Sequence, residues 1–391
     1  MNELIVRIAA RGDGVTASGR HVRFGVPGDA LLEDGALAPG PHHQEPPCRH
    51  FPECGGCQLQ HADDEAYRGY LVSRVETALA QQDLSTEIRE PHLSPPNSRR
   101  RAALRAVKTV QSVLLGFNAE SSHRIVDMRE CHILRLELFA LVAPLRHLLG
   151  ALLQSKRTAD VQLTLIDQGS DVLLNGVSAD ELTAIEHLTS FATTNRLARL
   201  SVDQGIGPET IYEPQASTVT LGGVPVGFPV GGFLQATQDG EAVLIDCVKE
   251  AIRQARVVAD LFAGIGTFAV SARATYAAEA SRDAAASLKR AAPNMTVEHR
   301  DLYRRPLDRD ELKKFDAVVL DPPRAGAAEQ VGALAGSRVP RIAYVSCNAA
   351  TFARDAKTLA DGGYTLAWVR PVGQFRWSTH VELAACFSRD G

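Results

Sequence analysis

The pattern of hydrophobic and polar positions changes near residue 237. From there to the C-terminus, short apolar runs alternate with alanine-rich stretches of helical periodicity. This alternation predicts an α/β domain with a parallel, doubly wound sheet. The expected strands are VVAD, TYAAE, MTVEH, FDAVVL and RIAYVS, and the runs YTLAWVRPV and HVELAACF are expected to add a terminal antiparallel hairpin.

The first 230 residues are patterned differently. Residues 3–35 contain brief apolar alternation and glycine turns, which predict short strands. Two apolar runs around Gln168-Gly169-Ser170 predict a strand pair. The stretch from Pro39 to Pro47 is rich in Pro, His and Glu and is typical of a linker. Helical periodicity predicts helices at residues 62–82, 135–154 and 179–191.

The length of 391 residues and the hydrophobic content of 45% predict two or three domains with sizeable cores. No run of about 18 apolar residues is present, so no membrane span is expected. The N-terminus carries charges inside its only apolar stretch and does not resemble a signal peptide, so a cytoplasmic location is expected. The cysteine count, seven, is odd and argues against a disulfide framework.

The net charge of −4 does not favour nucleic-acid binding by the chain as a whole. Any nucleic-acid site would therefore have to be a local basic patch. One stretch of ten residues contains no acid and five basic residues, which are Arg99, Arg100, Arg101, Arg105 and Lys108. The alternative is a solvated face of a strand and turn that binds nothing.

A polar or reactive residue ends each of the five predicted parallel strands. Because ligands of such sheets bind outside the carboxyl ends of the strands, these side chains are expected to share one crevice. They are Asp260, Glu279, Asp301, Asp321 and Cys347. Any one acid could be surface decoration, but the complete set predicts a site.

The first of these loops contains Gly264 and Gly266, which would let the backbone approach a ligand closely. The loop also fits a loose dinucleotide fingerprint. However, Glu279 follows Gly266 by 13 residues, whereas a ribose-binding acid in a dinucleotide site is expected after about 20. Acids on both sides of the loop suit a cationic ligand without phosphate, such as S-adenosylmethionine.

Cysteines supply two further candidates. Cys347 follows a strand and precedes a predicted helix, whose N-terminus favours the nucleophilic thiolate. An inert buried cysteine is the alternative. If the last strand runs antiparallel, Glu382 lies near Cys347. Cys48, Cys54 and Cys57 are spaced Cys-x5-Cys-x2-Cys, and spacing alone slightly favours zinc over an iron–sulfur cluster.

Taken together, these motifs resemble the uracil-5 RNA methyltransferase family. The C-terminal motifs are GGFLQAT, DLFAGIGTF, LDPPRAG, YVSCNAATFARD and STHVELAACF. The upstream motif CRHFPECGGCQLQH resembles the iron–sulfur segment of the 23S ribosomal RNA branch, and SPPNSRRRAALRA and GFNAESSHRIVDMRECHIL resemble its central domain. The resemblance spans residues 3–388.

The resemblance implies three domains. These are a shortened TRAM-like β segment at residues 1–40, a β-rich central domain at 41–230, and a Rossmann-like, class I S-adenosylmethionine-dependent methyltransferase domain at 231–391. It also implies a [4Fe–4S] cluster on Cys48, Cys54, Cys57 and Cys131. The expected partner is structured RNA, with 23S ribosomal RNA favoured over transfer RNA, and no protein partner is indicated.

The resemblance further implies a mechanism. Cys347 adds to carbon 6 of a uracil, carbon 5 takes the methyl group, and Glu382 removes the proton from carbon 5. Thr237 and Thr267 stand where the family often has asparagine. Arg376 and Trp377 are candidates to stack on or clamp RNA. The implied cofactor contacts are Gln235, Phe262, Gly264, Gly266, Thr267, Glu279, Asp301 and Asp321.

Two rival functions remain open at this point. One is a dinucleotide-dependent oxidoreductase that uses an iron–sulfur centre for electrons, in which Cys347 and Glu382 would have no role. The other is a non-catalytic RNA-binding relative, although the residues that catalysis needs are all present.

Overall fold

A computed structural model of the chain describes residues 2–389. The outermost residues of the predicted first and last domains, residue 1 and residues 390–391, lie outside this range. No helix within the described range is long and apolar enough to cross a lipid bilayer.

The N-terminal residues form the short strands that their pattern predicts. Five strands build one sheet in the order β3-β2-β1-β4-β5. A small core of Ile5, Val22 and Leu31 holds this sheet together. Its likeness to a TRAM barrel stays a prediction. The strands are β1 (Glu3–Ile8), β2 (Gly14–Thr16), β3 (His21–Val22), β4 (Ala30–Leu31) and β5 (Leu37–Ala38).

The next segment consists of helix α1 (Asp64–Ala80) and strands β6 (Glu87–Ile88) and β7 (His92–Leu93). The carboxylate of Asp63 caps α1 by accepting a hydrogen bond from the Ala66 N–H at 2.8 Å. The helix buries the face that its periodicity predicts, including Tyr67 and Tyr70. Both tyrosines belong to a core that otherwise consists mainly of residues from the C-terminal domain.

The central domain contains a six-stranded sheet in the order β13-β12-β11-β10-β8-β9. The strand pair predicted around Gly169 is confirmed as β10 and β11. The helix predicted at 135–154 is interrupted, because Pro144 lacks the N–H that a continuous helix would bond to Ala140. The elements are β8 (Arg101–Lys108), β9 (Val113–Gly116), α2 (Leu136–Phe139), α3 (Val142–Leu152), β10 (Thr158–Ile166), β11 (Gly169–Asn175), α4 (Leu182–Thr194), β12 (Arg199–Asp203) and β13 (Pro208–Tyr212).

A hairpin of β14 (Thr218–Leu221) and β15 (Val224–Gly227) leads into the C-terminal domain. This domain has the alternating strands and helices that the sequence predicts. In chain order they are α5 (Gln238–Ala251), β16 (Val258–Leu261), α6 (Thr267–Ser271), β17 (Tyr276–Glu279), α7 (Arg282–Ala291), β18 (Thr296–His299), α8 (Arg309–Leu312), β19 (Ala317–Leu320), α9 (Ala328–Ala335), β20 (Arg341–Ser346), α10 (Ala349–Asp361), β21 (Thr365–Gly373) and β22 (Glu382–Ser388).

The C-terminal sheet has the order β18-β17-β16-β19-β20-β22-β21-β6, and β7 also pairs with β21. Strands β16 to β20 are parallel, whereas β22 runs antiparallel to both β20 and β21, as the terminal hairpin predicts. The chain order reverses between β16 and β19, which is where such sheets open their ligand crevice. The pairing of β6 and β7 with β21 draws residues 87–93 into this sheet, although their predicted place was the central domain.

Candidate active site

Cys347 and Glu382 lie at adjoining ends of neighbouring strands. The antiparallel ladder pairs Ser346 on β20 with Leu383 on β22. Extending the same register by one residue places Cys347 opposite Glu382. The carboxyl group of Glu382 is buried, and Asn348 begins helix α10 by accepting the N–H of Ala350 at 3.1 Å. The two residues that the sequence nominated for catalysis are therefore neighbours.

Burial controls the ionisation of this pair. It raises the pKa of Glu382 to about 8, and the negative charge of Asp321 adds to the rise. Burial also raises the pKa of Asp321 to about 7. The pKa of Cys347 rises to about 11 because of burial and the neighbouring carboxylates, and Arg324 opposes this change. A bound cation in the crevice would favour the charged forms of all three groups.

Gln374 connects the carboxylates and was not nominated from the sequence. Its Nε2 donates to Glu382 Oε2 at 3.0 Å and to Gln235 Oε1 at 2.8 Å. Its Oε1 accepts the N–H of Ala236 at 2.9 Å. Gln235 in turn donates through Nε2 to Asp321 Oδ2 at 3.4 Å. The sequence offered one signal for Gln374, which is a polar residue directly after an apolar strand. Its hydrogen-bond partners are distant in sequence and could not be predicted from that signal.

The loop after β16 forms an open cradle. The N–H of Gly264 donates to Glu279 Oε2 at 2.7 Å, and a Cβ at Gly264 would meet no heavy atom within 4 Å. Gly266 has φ +99°, and a Cβ there would lie 2.5 Å from Leu288 Cδ1. Glycine is therefore required at residue 266, while the space beside residue 264 can admit a ligand. Thr267 begins α6 directly behind this loop.

Aromatic side chains extend the crevice toward β18. Phe262 has φ +64°, and its ring centroid lies 5.5 Å from that of Tyr303. Asp301 Oδ1 accepts the N–H of Tyr303 at 3.0 Å. The loop after β16 and the loop after β18 thus meet at the edge of the crevice, which is where an adenine ring could pack against Phe262.

The acids at the strand ends fit a cationic ligand. Asp260 is fully buried, and its pKa is raised well above the ordinary value, first by burial and then by Asp321 and Glu279. A pyrophosphate in such surroundings would be repelled, whereas a sulfonium or ammonium group would be attracted. The crevice therefore suits S-adenosylmethionine better than a dinucleotide.

Four cysteines line one cavity, together with Phe51, Phe117 and Met128. They are Cys48, Cys54, Cys57 and Cys131. Burial raises the pKa of each of these thiols, in the case of Cys57 to about 12. Within residues 2–389, no group of three or more His, Cys, Asp or Glu side chains is arranged to hold a metal ion. The expected metal centre is therefore not confirmed.

The predicted basic patch separates into residues with different surroundings. Arg100 is buried, donates to Glu241 Oε2 at 2.5 Å and to the Gln235 carbonyl at 3.1 Å, and cannot contact RNA. Its nomination as an RNA-binding residue was wrong, because its side chain points into the interior. Arg105 is partly exposed and forms an ion pair with Asp160.

Arg99 and Arg101 line a cleft of about 190 Å³ beside Gln235 and Ala236. The Arg101 guanidinium lies 4.7 Å from the ring centroid of Phe233, a side chain that is 61% exposed. The Arg99 guanidinium lies 5.6 Å from the ring centroid of Phe375. The cleft therefore presents two pairs of a cation and an aromatic ring next to the crevice.

The segment before Glu382 does not present the RNA clamp that we expected. Trp377 is only 4% exposed and packs in the core of the central domain. Arg376 forms an ion pair with Asp64 and donates to the Ser94 carbonyl at 3.1 Å. Both side chains are engaged in holding the segment in place.

The parallel sheet with its reversed strand order and the acidic crevice over a glycine loop are features expected of an S-adenosylmethionine-dependent methyltransferase. A family model described as tRNA (Uracil-5-)-methyltransferase matches residues 260–390. An uncharacterized RNA methyltransferase of Zymomonas mobilis is 51% identical, over 98% of this chain and 99% of the relative. The 23S rRNA (uracil(1939)-C(5))-methyltransferase RlmD of Pectobacterium atrosepticum is 31% identical, over 90% of this chain and 82% of the relative.

The chain belongs to the RNA uracil-C5 methyltransferase family. It is an RNA methyltransferase, and the oxidoreductase alternative is wrong. The crystal structure of Pyrococcus abyssi tRNA (uracil-54, C5)-methyltransferase in complex with S-adenosyl-L-homocysteine has the same fold. Its TM-score is 0.76 with 22% identity, over 99% of both chains.

Proposed function

We propose that this chain methylates carbon 5 of a uridine in 23S ribosomal RNA, with Cys347 as the nucleophile and Glu382 as the general base. The observation that supports this mechanism is that Cys347 and Glu382 each lie one residue beyond the Ser346–Leu383 pair of adjoining strands, close enough for the Glu382 charge to raise the pKa of Cys347. The preference for 23S ribosomal RNA is supported by the name of the relative that is 31% identical.

The first step is addition of the Cys347 thiolate to carbon 6 of the uracil. The sulfur electron pair forms the new bond, the carbon 5–carbon 6 π pair moves toward oxygen 4, and carbon 5 becomes nucleophilic. S-adenosylmethionine in the crevice would supply an electrophilic methyl group and a positive charge. Arg324 already lowers the pKa of Cys347, against the effects of burial and of the carboxylates.

The last step is removal of the proton from carbon 5. Glu382 accepts this proton, the C–H electron pair re-forms the carbon 5–carbon 6 double bond, and Cys347 leaves as a thiolate. Because burial raises the pKa of Glu382 to about 8, this step needs the positive charge of a bound donor, which would favour the carboxylate form. The ionised group would then be a stronger base than an exposed glutamate. Gln374 donates to Oε2 of Glu382 and leaves the other oxygen available for the proton.

The donor would be held by residues at the carboxyl ends of β16, β17, β18 and β19 and by the segment before α5. The buried amide of Gln235 and the carboxyl of Asp321 are hydrogen-bonded there, and the Glu279 carboxylate would in addition accept from ribose hydroxyls. The full set comprises Gln235, Phe262, Gly264, Gly266, Thr267, Glu279, Asp301 and Asp321.

The four thiols around one cavity are proposed to hold a [4Fe–4S] cluster with a structural role. Their raised pKa values mean that thiolates are costly in this pocket unless positive metal charge accompanies them. Anaerobically purified protein is analysed for iron, acid-labile sulfide and zinc. Iron with sulfide indicates the cluster, whereas zinc alone indicates a single zinc ion.

The RNA would lie over the cleft of Arg99, Arg101, Phe233 and Phe375, with Arg105 at its margin. Guanidinium groups attract the phosphates, and exposed rings stack with unpaired bases. The target base would have to leave its stack, because the Cys347 thiol and the Glu382 carboxyl are both largely enclosed.

The proposal is tested with RNA from a strain that lacks the gene. Purified protein is incubated with methyl-labelled S-adenosylmethionine and, separately, with 23S ribosomal RNA and with total transfer RNA from that strain. Incorporation into 23S ribosomal RNA, mapped to one 5-methyluridine by mass spectrometry, supports it. Label in transfer RNA alone refutes the substrate, and label at a position other than carbon 5 refutes the reaction.

A further inference from the structure

The segment at residues 374–381, here called the bridging segment, connects the active site to the cysteine cavity. Gln374 at its start bonds Glu382, the residue that follows its end. In the middle of the segment, the Trp377 side chain packs in the core of the central domain, which also contains Cys57. The position of the proposed base therefore depends on a stretch of chain that is anchored in another domain.

The residues directly after Cys57 hold the bridging segment through its backbone. The N–H groups of Gln58 and Leu59 donate to the Trp377 carbonyl at 2.8 and 2.9 Å. The Gln58 side chain accepts the N–H of Thr379 at 3.3 Å and donates to the Gly55 carbonyl at 2.7 Å. Trp377 has φ +58°, an unfavourable value for a residue other than glycine, so these external bonds offset local strain.

Helix α1 supplies a second row of anchors. The Tyr67 hydroxyl is placed to donate to the carbonyls of Phe375 and Ser378, at 3.0 and 3.2 Å. The Tyr70 hydroxyl lies 3.1 Å from the Thr379 carbonyl. The loop from Cys48 to Leu59, here called the cysteine loop, and helix α1 both bond to residues 375–379. A displacement of Cys57 would therefore be transmitted directly to the bridging segment.

We propose that Gln58 is a positioning residue, through which the cysteine loop holds the bridging segment so that Glu382 is aligned for proton removal. Binding of the proposed cluster in the cysteine cavity and alignment of Glu382 are thereby coupled. The catalytic part of this inference rests on the proposed function. The structural part, which is ordering of residues 374–381 by Gln58, does not.

The test uses the holoenzyme with three single substitutions. Gln58→Met keeps the side-chain volume but removes both side-chain hydrogen bonds. We expect kcat to fall about five- to tenfold, because the loss of a partly buried hydrogen bond costs about 1 kcal/mol. The KM for S-adenosylmethionine should stay within about twofold, because Gln58 is not in the crevice. Gln58→Glu still accepts from Thr379 but cannot donate to the Gly55 carbonyl, so it should recover only part of kcat. The exposed Gln81→Ala serves as the matched control.

Hydrogen exchange followed by mass spectrometry supplies a readout that needs no activity. In Gln58→Met, and in wild-type protein from which the metal has been removed by chelation, exchange should accelerate in residues 374–381. Peptides from β10 and β11 should be unchanged. If Gln58→Met leaves both kcat and this exchange at wild-type values, the inference is overturned. If the exchange changes but no RNA is methylated by any form, the proposed function fails and the ordering role stands.

Discussion

Cys347 and Glu382 come together across the β20–β22 ladder, because Ser346 is paired with Leu383 and each catalytic candidate lies one residue beyond that pair. The antiparallel direction of β22 is essential to this arrangement. A parallel last strand would place Glu382 at the opposite edge of the sheet from Cys347, at the amino ends of the strands.

Replacement of the nucleophile should stop the reaction. We expect Cys347→Ala to lower the methylation rate by at least about a thousandfold, because carbon 5 is not activated without addition at carbon 6. The rate of label transfer to RNA is the measurement. Cys386→Ala, which alters a buried cysteine on the same sheet, should retain most of the activity. A Cys347→Ala enzyme with wild-type turnover would eliminate the covalent mechanism.

Replacement of the base should trap the adduct. In Glu382→Gln the thiolate can still add and the methyl group can still transfer, but the proton on carbon 5 has no acceptor and Cys347 cannot leave. We expect a covalent protein–RNA species on a denaturing gel, with label from the methyl donor. The double variant Cys347→Ala/Glu382→Gln should give no such band. If it does, the attachment involves a different residue.

The raised pKa of Glu382 predicts a pH-dependent gain in stability for Glu382→Gln. In the folded wild type Glu382 keeps its proton up to its raised pKa of about 8, whereas in the unfolded chain it loses the proton near the ordinary pKa of 4.5. The wild type therefore loses stability as pH rises between these values, and the glutamine variant avoids this loss. The difference in melting temperature should grow in favour of the variant from pH 4.5 to 8. A flat profile for Glu382→Gln would contradict its buried carboxyl.

The exposed ring of Phe233 should contribute to RNA binding. We expect Phe233→Ala to raise the KM for RNA about five- to tenfold, which is within the usual effect of losing one stacked base. Its melting temperature should change little, because the side chain is 61% exposed. Ile206→Ala, which truncates a side chain that is 96% exposed and lies outside the cleft, is the control. An equal KM for the two variants would remove the cleft from the RNA surface.

Arg100 should matter for folding and not for RNA recognition. Arg100→Gln leaves Glu241 buried without its ionic partner, and such losses typically cost about 3–5 kcal/mol. Denaturant unfolding measures this loss. The salt dependence of RNA binding by the folded fraction should remain that of the wild type, since no phosphate contact is removed. A shallower salt dependence would instead assign Arg100 to the RNA surface.

Features that depend on neighbours in sequence could be predicted well. The alternation of apolar runs and helical stretches after residue 237 determines the parallel strands, because burial of both sheet faces requires that pattern. The polar residues that end those strands then converge, which is why Asp260, Asp321 and Cys347 could be nominated without coordinates. The buried face of α1 followed from its periodicity in the same way.

Only the tertiary structure decided which partners distant segments choose. Arg100 and Arg101 are adjacent and alike in sequence, yet one lies against buried Glu241 and the other beside exposed Phe233. Gln374 acquires its function from Gln235, which is 139 residues away in the chain. Strands β6 and β7 join a sheet whose other members begin far downstream. Local periodicity carries information about which face of an element is buried, but not about which distant element will cover it.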